Sequence, residues 1–168
     1  MGVSITIESR PLVDALERAR HACRKLTPAQ VEIGEYMLRS IQKTFEAQGR
    51  PEKWMPLSAM TQIRRVGGMR RAFTKKGAFT ARFRREERGG KILIQDRRLL
   101  RSIKYKVYPE AVEIGSNLVY AARHQFGYKG GSGRGRSTTP ARPYLVVLPE
   151  DELEIAHILE THIAEPLQ

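Results

Sequence analysis

The stretch Tyr120-Ala-Ala-Arg-His-Gln-Phe-Gly127, the Gly/Arg/Ser-rich run that follows it, and Thr139-Pro140-Ala141-Arg142-Pro143-Tyr144-Leu145 decide how this chain is read. Tyr120 to Phe126 suits a short helix, and Gly127 is placed to end it in the left-handed region. The run from Gly130 to Ser137 holds too much glycine to pack by itself. Pro140 and Pro143 then keep the backbone extended, so Arg142 is expected to present its guanidinium from a stiff segment at the mouth of a buried strand, Tyr144 to Leu148. Arginine's planar fork suits a carboxylate or carbonyl groups at a subunit boundary.

Outward from this stretch, strand and helix signals alternate. Ile103, Tyr105 and Val107 alternate with Lys104, Lys106 and Tyr108, Pro109-Glu110 supplies a turn, and Val112 and Ile114 lead a partner strand out. A helical turn is expected at Arg97 to Arg101, after the apolar Ile92-Leu93-Ile94. Pro149 opens a last helix with Glu150, Asp151 and Glu152 at its positive end, and Leu153, Ile155, Ala156, Ile158, Leu159 and Ile163 give it a broad apolar face. Towards the N-terminus, Thr27 and Gln30 form a capping-box pair with Pro28 at the first helical position. Val31, Gly34, Leu38, Ile41 and Phe45 make the buried face of that helix, and Gln48-Gly49 ends it. An earlier helix is expected after Ser9, with Leu12, Leu16, Ala19, Cys23 and Leu26 in one stripe, preceded by a strand in which Val3, Ile5 and Ile7 alternate with polar residues.

The 168 residues thus read as a single α+β domain. A small mixed sheet is covered by two N-terminal helices and a C-terminal helix, with a Gly/Arg/Ser-rich loop at about 128–139. A second appendage lies at about 64–90. There Arg64, Arg65, Arg70, Arg71, Lys75, Lys76, Arg82, Arg84, Arg85 and Arg88 are opposed by Glu86 and Glu87 alone. Gly67-Gly68, Gly77 and Gly89-Gly90 punctuate the run and leave Val66, Met69, Phe73, Phe79 and Phe83 apparently isolated, so a basic arm or long hairpin is expected.

The chain carries a net charge of +12, which speaks of anionic partners. Cys23, the single cysteine, excludes an internal disulfide and a cysteine metal cage. No apolar run approaches the roughly 18 residues that span a bilayer, so no membrane association is expected. His157 and His162 are five apart, whereas a helical ligand pair wants three or four, and no metal or cofactor is expected. No phosphate-cradling loop and no nucleophile–base pairing stands out. Asp96 beside Arg97 and Arg98, together with His124, is the nearest thing to an acid–base pair, but such an acid is more often a helix cap. The chain is therefore read as no enzyme. The alternative to an assembly role is a basic nucleic-acid-binding module acting in DNA packaging or passage, since cations interleaved with Phe73, Phe79 and Phe83 suit phosphates and stacked bases.

Gly49, Trp54, Pro56, Leu57, Ser58 and Thr61, then Leu99, Ser102 and Ile103, then Val112, Ile114, Gly115 and Ser116 precede Tyr120-Ala121, His124-Gln125-Phe126-Gly127 and Ala141-Arg142-Pro143-Tyr144-Leu145 in an order that resembles the phage virion morphogenesis family. Asp96-Arg97 stands where such proteins often have Thr-Gly, and the basic segment is longer than the pattern requires. The resemblance implies a virion component of the tail-neck region, made in the bacterial cytoplasm, that completes the tail at its head-proximal end as a terminator or head–tail joining ring. It implies a homo-oligomer, commonly a hexamer, touching tail tube and connector or stopper proteins, with non-specific DNA contact as a further partner. Trp54, Tyr120, His124, Gln125, Phe126, Arg142 and Tyr144 are the expected interface residues.

Overall fold

The alternation at Ile103–Tyr108 and Ala111–Ser116 produces two paired strands, β1 and β2, joined at Pro109-Glu110 as the pattern predicts. The computed structural model describes residues 10, 14, 17, 18, 26–130 and 138–164. The expected strand at Val3–Ile7, the Ser9 cap, the stripe positions Leu12, Leu16, Ala19 and Cys23, and most of the Gly-rich loop lie outside them.

Helix α1 spans Thr27–Glu46, α2 Ala59–Arg65, α3 Met69–Ala72, α4 Ala81–Gly89 and α5 Arg98–Ser102, all before β1. After β2 come α6 at Ala121–Phe126, the short strands β3 (Tyr128–Lys129) and β4 (Thr138–Thr139), and α7 at Pro149–Ala164. The fold is α+β. Among the described residues the strands form two separate two-stranded sheets in place of one mixed sheet. β3 and β4 pair antiparallel, Tyr128 with Thr139, so the two ends of the Gly-rich loop are joined at its base.

Contacts gather in two compact units. The first takes the chain up to Met37, Tyr105–Glu113 and the chain from Val147 onward. Here Gly34 lies under the Tyr105 ring, so closely that a Cβ would overlap it. Gln30, expected to close a capping box, turns its amide to the Tyr108 carbonyl at 2.9 Å. Ile33 and Met37 are buried while Val31 is exposed, so the inward stripe of α1 is rotated from the expected one. In α7 Ile158 is buried but Leu153 is 75% exposed, which narrows the expected apolar face. Asp151 is buried at its third helical position, and its carboxylate accepts from Leu148 N–H at 2.9 Å and from the Tyr36 hydroxyl at 3.0 Å. The first of these bonds is the returning half of a capping box. Burial, then the Asp151 carboxylate, push the Tyr36 phenol up to about 12.

The second unit comprises Leu38–Lys104 and Ile114–Val146. Ile41, Phe45, Trp54, Ile92, Leu99, Ile103, Ala121 and Tyr144 form its main core. Phe45 holds the edge of Trp54 and the tilted ring of Tyr144, each with centroids 5.4 Å apart. Helix α1 ends as expected at Gln48-Gly49: Gly49 N–H reaches Thr44 O at 2.9 Å and Gln48 N–H reaches Phe45 O at 3.1 Å. That pair of bonds is a Schellman motif, with Gln48 itself in the left-handed position at φ 59°.

The segment expected to be a loose arm has a core of its own. Ile63 and Val66 from the end of α2, Ala72 from α3 and Phe83 from α4 are buried together, with Phe73 packed against them. Ser58 caps α2 and Thr80 caps α4, their hydroxyls each accepting a backbone N–H at 3.3 Å. Gly67, at φ 101°, ends α2 in the conformation a side chain resists. Between α3 and α4 the chain makes a tight hairpin, bridged at Phe73 and Phe79. The expected isolation of these apolar residues is corrected: Phe79 stacks on Phe83 with centroids 4.3 Å apart and meets the tilted ring of Phe73 at 4.8 Å. Each element contributes one or two of them, and they meet only when the elements fold together.

Candidate functional site

Two stretches singled out in the sequence, Trp54 to Ser58 and Tyr120 to Leu145, meet in the second unit and are cross-stitched. Trp54 Nε1 donates to Pro143 O at 2.8 Å. In the other direction Arg142 Nε and Nη2 donate to Met55 O at 3.2 and 3.1 Å, and Nη2 also reaches Pro56 O at 3.4 Å. Arg142 is 5% exposed. The guanidinium expected to be offered to another subunit meets its own chain here. The extended Pro-Ala-Arg-Pro segment does aim the fork, but at carbonyls of its own chain.

Helix α6 rides on this stitch. Tyr144, also buried, donates its hydroxyl to Ala121 O at 3.2 Å, and Arg142 N–H donates to His124 O at 2.7 Å. Gly127 adopts φ 77°, and a Cβ there would press on Ala141 N and Thr139 O. The expected strand at Tyr144–Leu148 does not form, because its partner is a side chain. The Gln125 amide oxygen accepts from Tyr144 N–H at 2.9 Å and Leu145 N–H at 3.0 Å, while its NH₂ donates to Leu145 O at 3.0 Å. Gln48 treats Ile92 the same way, accepting from its N–H and donating to its carbonyl. A carboxamide carries the donor and acceptor of a peptide unit, so each glutamine stands in for a neighbouring strand. Trp54, Gln125 and Tyr144, expected at an interface, accordingly make their contacts within the chain.

Above the stitch opens a cleft of about 1050 Å³, lined by Met55 to Ser58, Arg65, Leu93, Asp96, Arg98, Tyr120, His124, Thr138 to Pro140 and Arg142. Three arginines against one carboxylate make it electropositive. Burial, then Arg142 and Arg123, lower the His124 pKa from its ordinary 6.5. Burial, then Arg65, lower that of Arg142. His124 Nδ1 is buried with no hydrogen-bond partner among the described residues. Asp96, one residue ahead of the Arg97 N-cap, accepts from Arg98 N–H at 3.0 Å and so satisfies the first N–H of α5. Among the described residues no group of three or more His, Cys, Asp or Glu is placed to hold a metal ion, and no helix is long and apolar enough to cross a membrane.

Around α6 three large apolar side chains are exposed. Phe126, at the end of α6, is 80% exposed and Val119, just before it, 99% exposed. Tyr128 is also exposed, with the Arg123 guanidinium 4.1 Å from its ring. Of the seven expected interface residues, Phe126 is thus the one left open, Tyr120, His124 and Arg142 line the cleft, and the other three are internal supports. Sequence reasoning missed the part played by Gln48; a glutamine beside a helix-ending glycine was its only sign.

Residues 7–164 match the phage virion morphogenesis family, and the chain belongs to that family. It is a structural protein of phage virion morphogenesis. A curated relative is the Mu-like prophage FluMu G protein 2 of Haemophilus influenzae, 28% identical over 154 residues, which cover 92% of this chain and 90% of that protein. No solved structure matches.

Proposed function

We propose that the protein completes the phage tail at its head-proximal end, as a ring of six identical subunits that caps the tube and meets the head connector. The observation that carries this reading is the exposure of Val119, Phe126 and Tyr128 around α6. Large apolar side chains held out at the two ends of a helix that is itself pinned by Gln125, Arg142 and Tyr144 suit a subunit boundary. Membership of a virion morphogenesis family and the likeness to a Mu-like prophage protein support it. The role is one of fit, with no catalytic step.

Silencing the gene in an inducible lysogen tests the reading. DNA-filled heads separate from tails of irregular length are expected by electron microscopy, and a tagged subunit should mark one tail end in six copies. Normal tails joined to heads, or a label spread along the tube or shell, would overturn it. At the finer scale, Phe126→Ser should leave the monomer folded and abolish ring formation in particles.

A further inference from the structure

We propose that the α2–α4 module is a docking surface for duplex DNA, held by its phosphates without regard to base sequence. The proposal rests on the module alone and not on where the subunit sits in the particle. Residues 64–88 carry ten cations and two carboxylates, a net +8 of the chain's +12. Nine of the ten cations are exposed; the tenth, Arg65, bonds Glu86 at 2.9 Å and is the one held by a carboxylate among the described residues. Glu87 is the one exposed acid opposing them.

The cations are mounted, not dangling. Arg84 and Arg88, four apart, share one side of α4, with Arg88 Nε on the Arg84 carbonyl at 3.2 Å. Arg82 and Arg85, on another side, border a recess of about 560 Å³ with Arg65. Arg70 lies on α3, and Lys75-Lys76 cap the hairpin whose Phe73–Phe79–Phe83 stack fixes its direction. Exposed large apolar side chains in the module are limited to Met60, Met69 and Phe79, less than the apolar centre of a protein–protein interface. A duplex supplies what the surface lacks. It carries one charge per ~1.7 Å, so the ~13 Å length of α4 meets about eight phosphates.

The test uses the full chain and a labelled 30-base-pair duplex of arbitrary sequence, followed by fluorescence anisotropy over a salt series. Neutralising about five phosphates gives a log–log slope of about −4.5, hence a roughly 500-fold weaker affinity at 200 than at 50 mM salt. The combined variant Arg70→Gln, Lys75→Gln, Lys76→Gln, Arg84→Gln should make the slope shallower by about 3.6 with an unchanged melting midpoint. Arg39→Gln, Lys43→Gln, Lys104→Gln, Lys106→Gln removes the same charge elsewhere and should leave most of the binding. Equal losses in the two variants would reduce the effect to net charge and overturn the proposal. So would a wild-type slope shallower than −1. Competition by polyglutamate as effective as that by unlabelled duplex would also overturn it, assigning the surface to an acidic protein.

Discussion

The aromatic core around Phe45, Trp54 and Tyr144 and the small core around Val66 and Phe83 solve opposite problems with the same few residue types. The first joins segments about ninety residues apart and satisfies its polar groups with side chains: an indole on Pro143 O, a guanidinium on Met55 O, a carboxamide on Tyr144 and Leu145. The second closes within residues 58–90 and uses short-range hydroxyl caps and turns. Apart from Arg65, its cations face outward. What the difference teaches is where substitution will be felt: each buried polar group of the first core has a distant partner to orphan, while most cations of the second have none.

Truncation should break the comparison most visibly. Tyr144→Ala removes a ring and a hydroxyl from the larger core and should cost about 4 kcal/mol, seen as a lower denaturation midpoint for the whole second unit. Phe83→Ala should cost about 3 kcal/mol, with hydrogen-exchange protection lost in residues 59–90 only; loss spreading to α6 would show that the cores are one. Arg142→Lys keeps the charge but loses the planar fork whose Nε and Nη2 meet the Met55 and Pro56 carbonyls, and a loss of about 2 kcal/mol in urea unfolding is expected. The pH response should be smaller. Because the folded state lowers the His124 pKa below 6.5, its contribution is present above that value and lost as pH falls through 6.5 towards the folded value. His124→Gln should flatten the decline in urea midpoint between pH 7.5 and 5.5. Arg84→Gln, on the module's surface, should change stability by no more than about 0.5 kcal/mol.

Local chemistry was legible in the sequence. The β1–β2 hairpin, the opening of α7 at Pro149, the Gln48-Gly49 stop and the Gly127 stop each depend on a few neighbouring residues and were read correctly. What depended on meeting a distant segment was not. Nothing beside Gln30 says that its amide will reach Tyr108, and nothing beside Gln125 says that it will replace a strand. Arg142 was recognised as stiffly presented, but its target lies more than eighty residues upstream. The α2–α4 module escaped for another reason: with one or two buried residues per element, no element is long enough to show a stripe, and the glycines that end its helices look like breaks in structure.

The packing of Phe73, Phe79 and Phe83 within the module has a thermodynamic consequence for whatever the module meets. Backbone entropy around these cations is lost when the chain folds and is not lost again on encounter. A segment that ordered only on its target would surrender about 2–5 kcal/mol in ordering and show a large negative heat-capacity change. This one should associate with a heat-capacity change close to zero, and its calorimetric signature should be mainly the release of counterions.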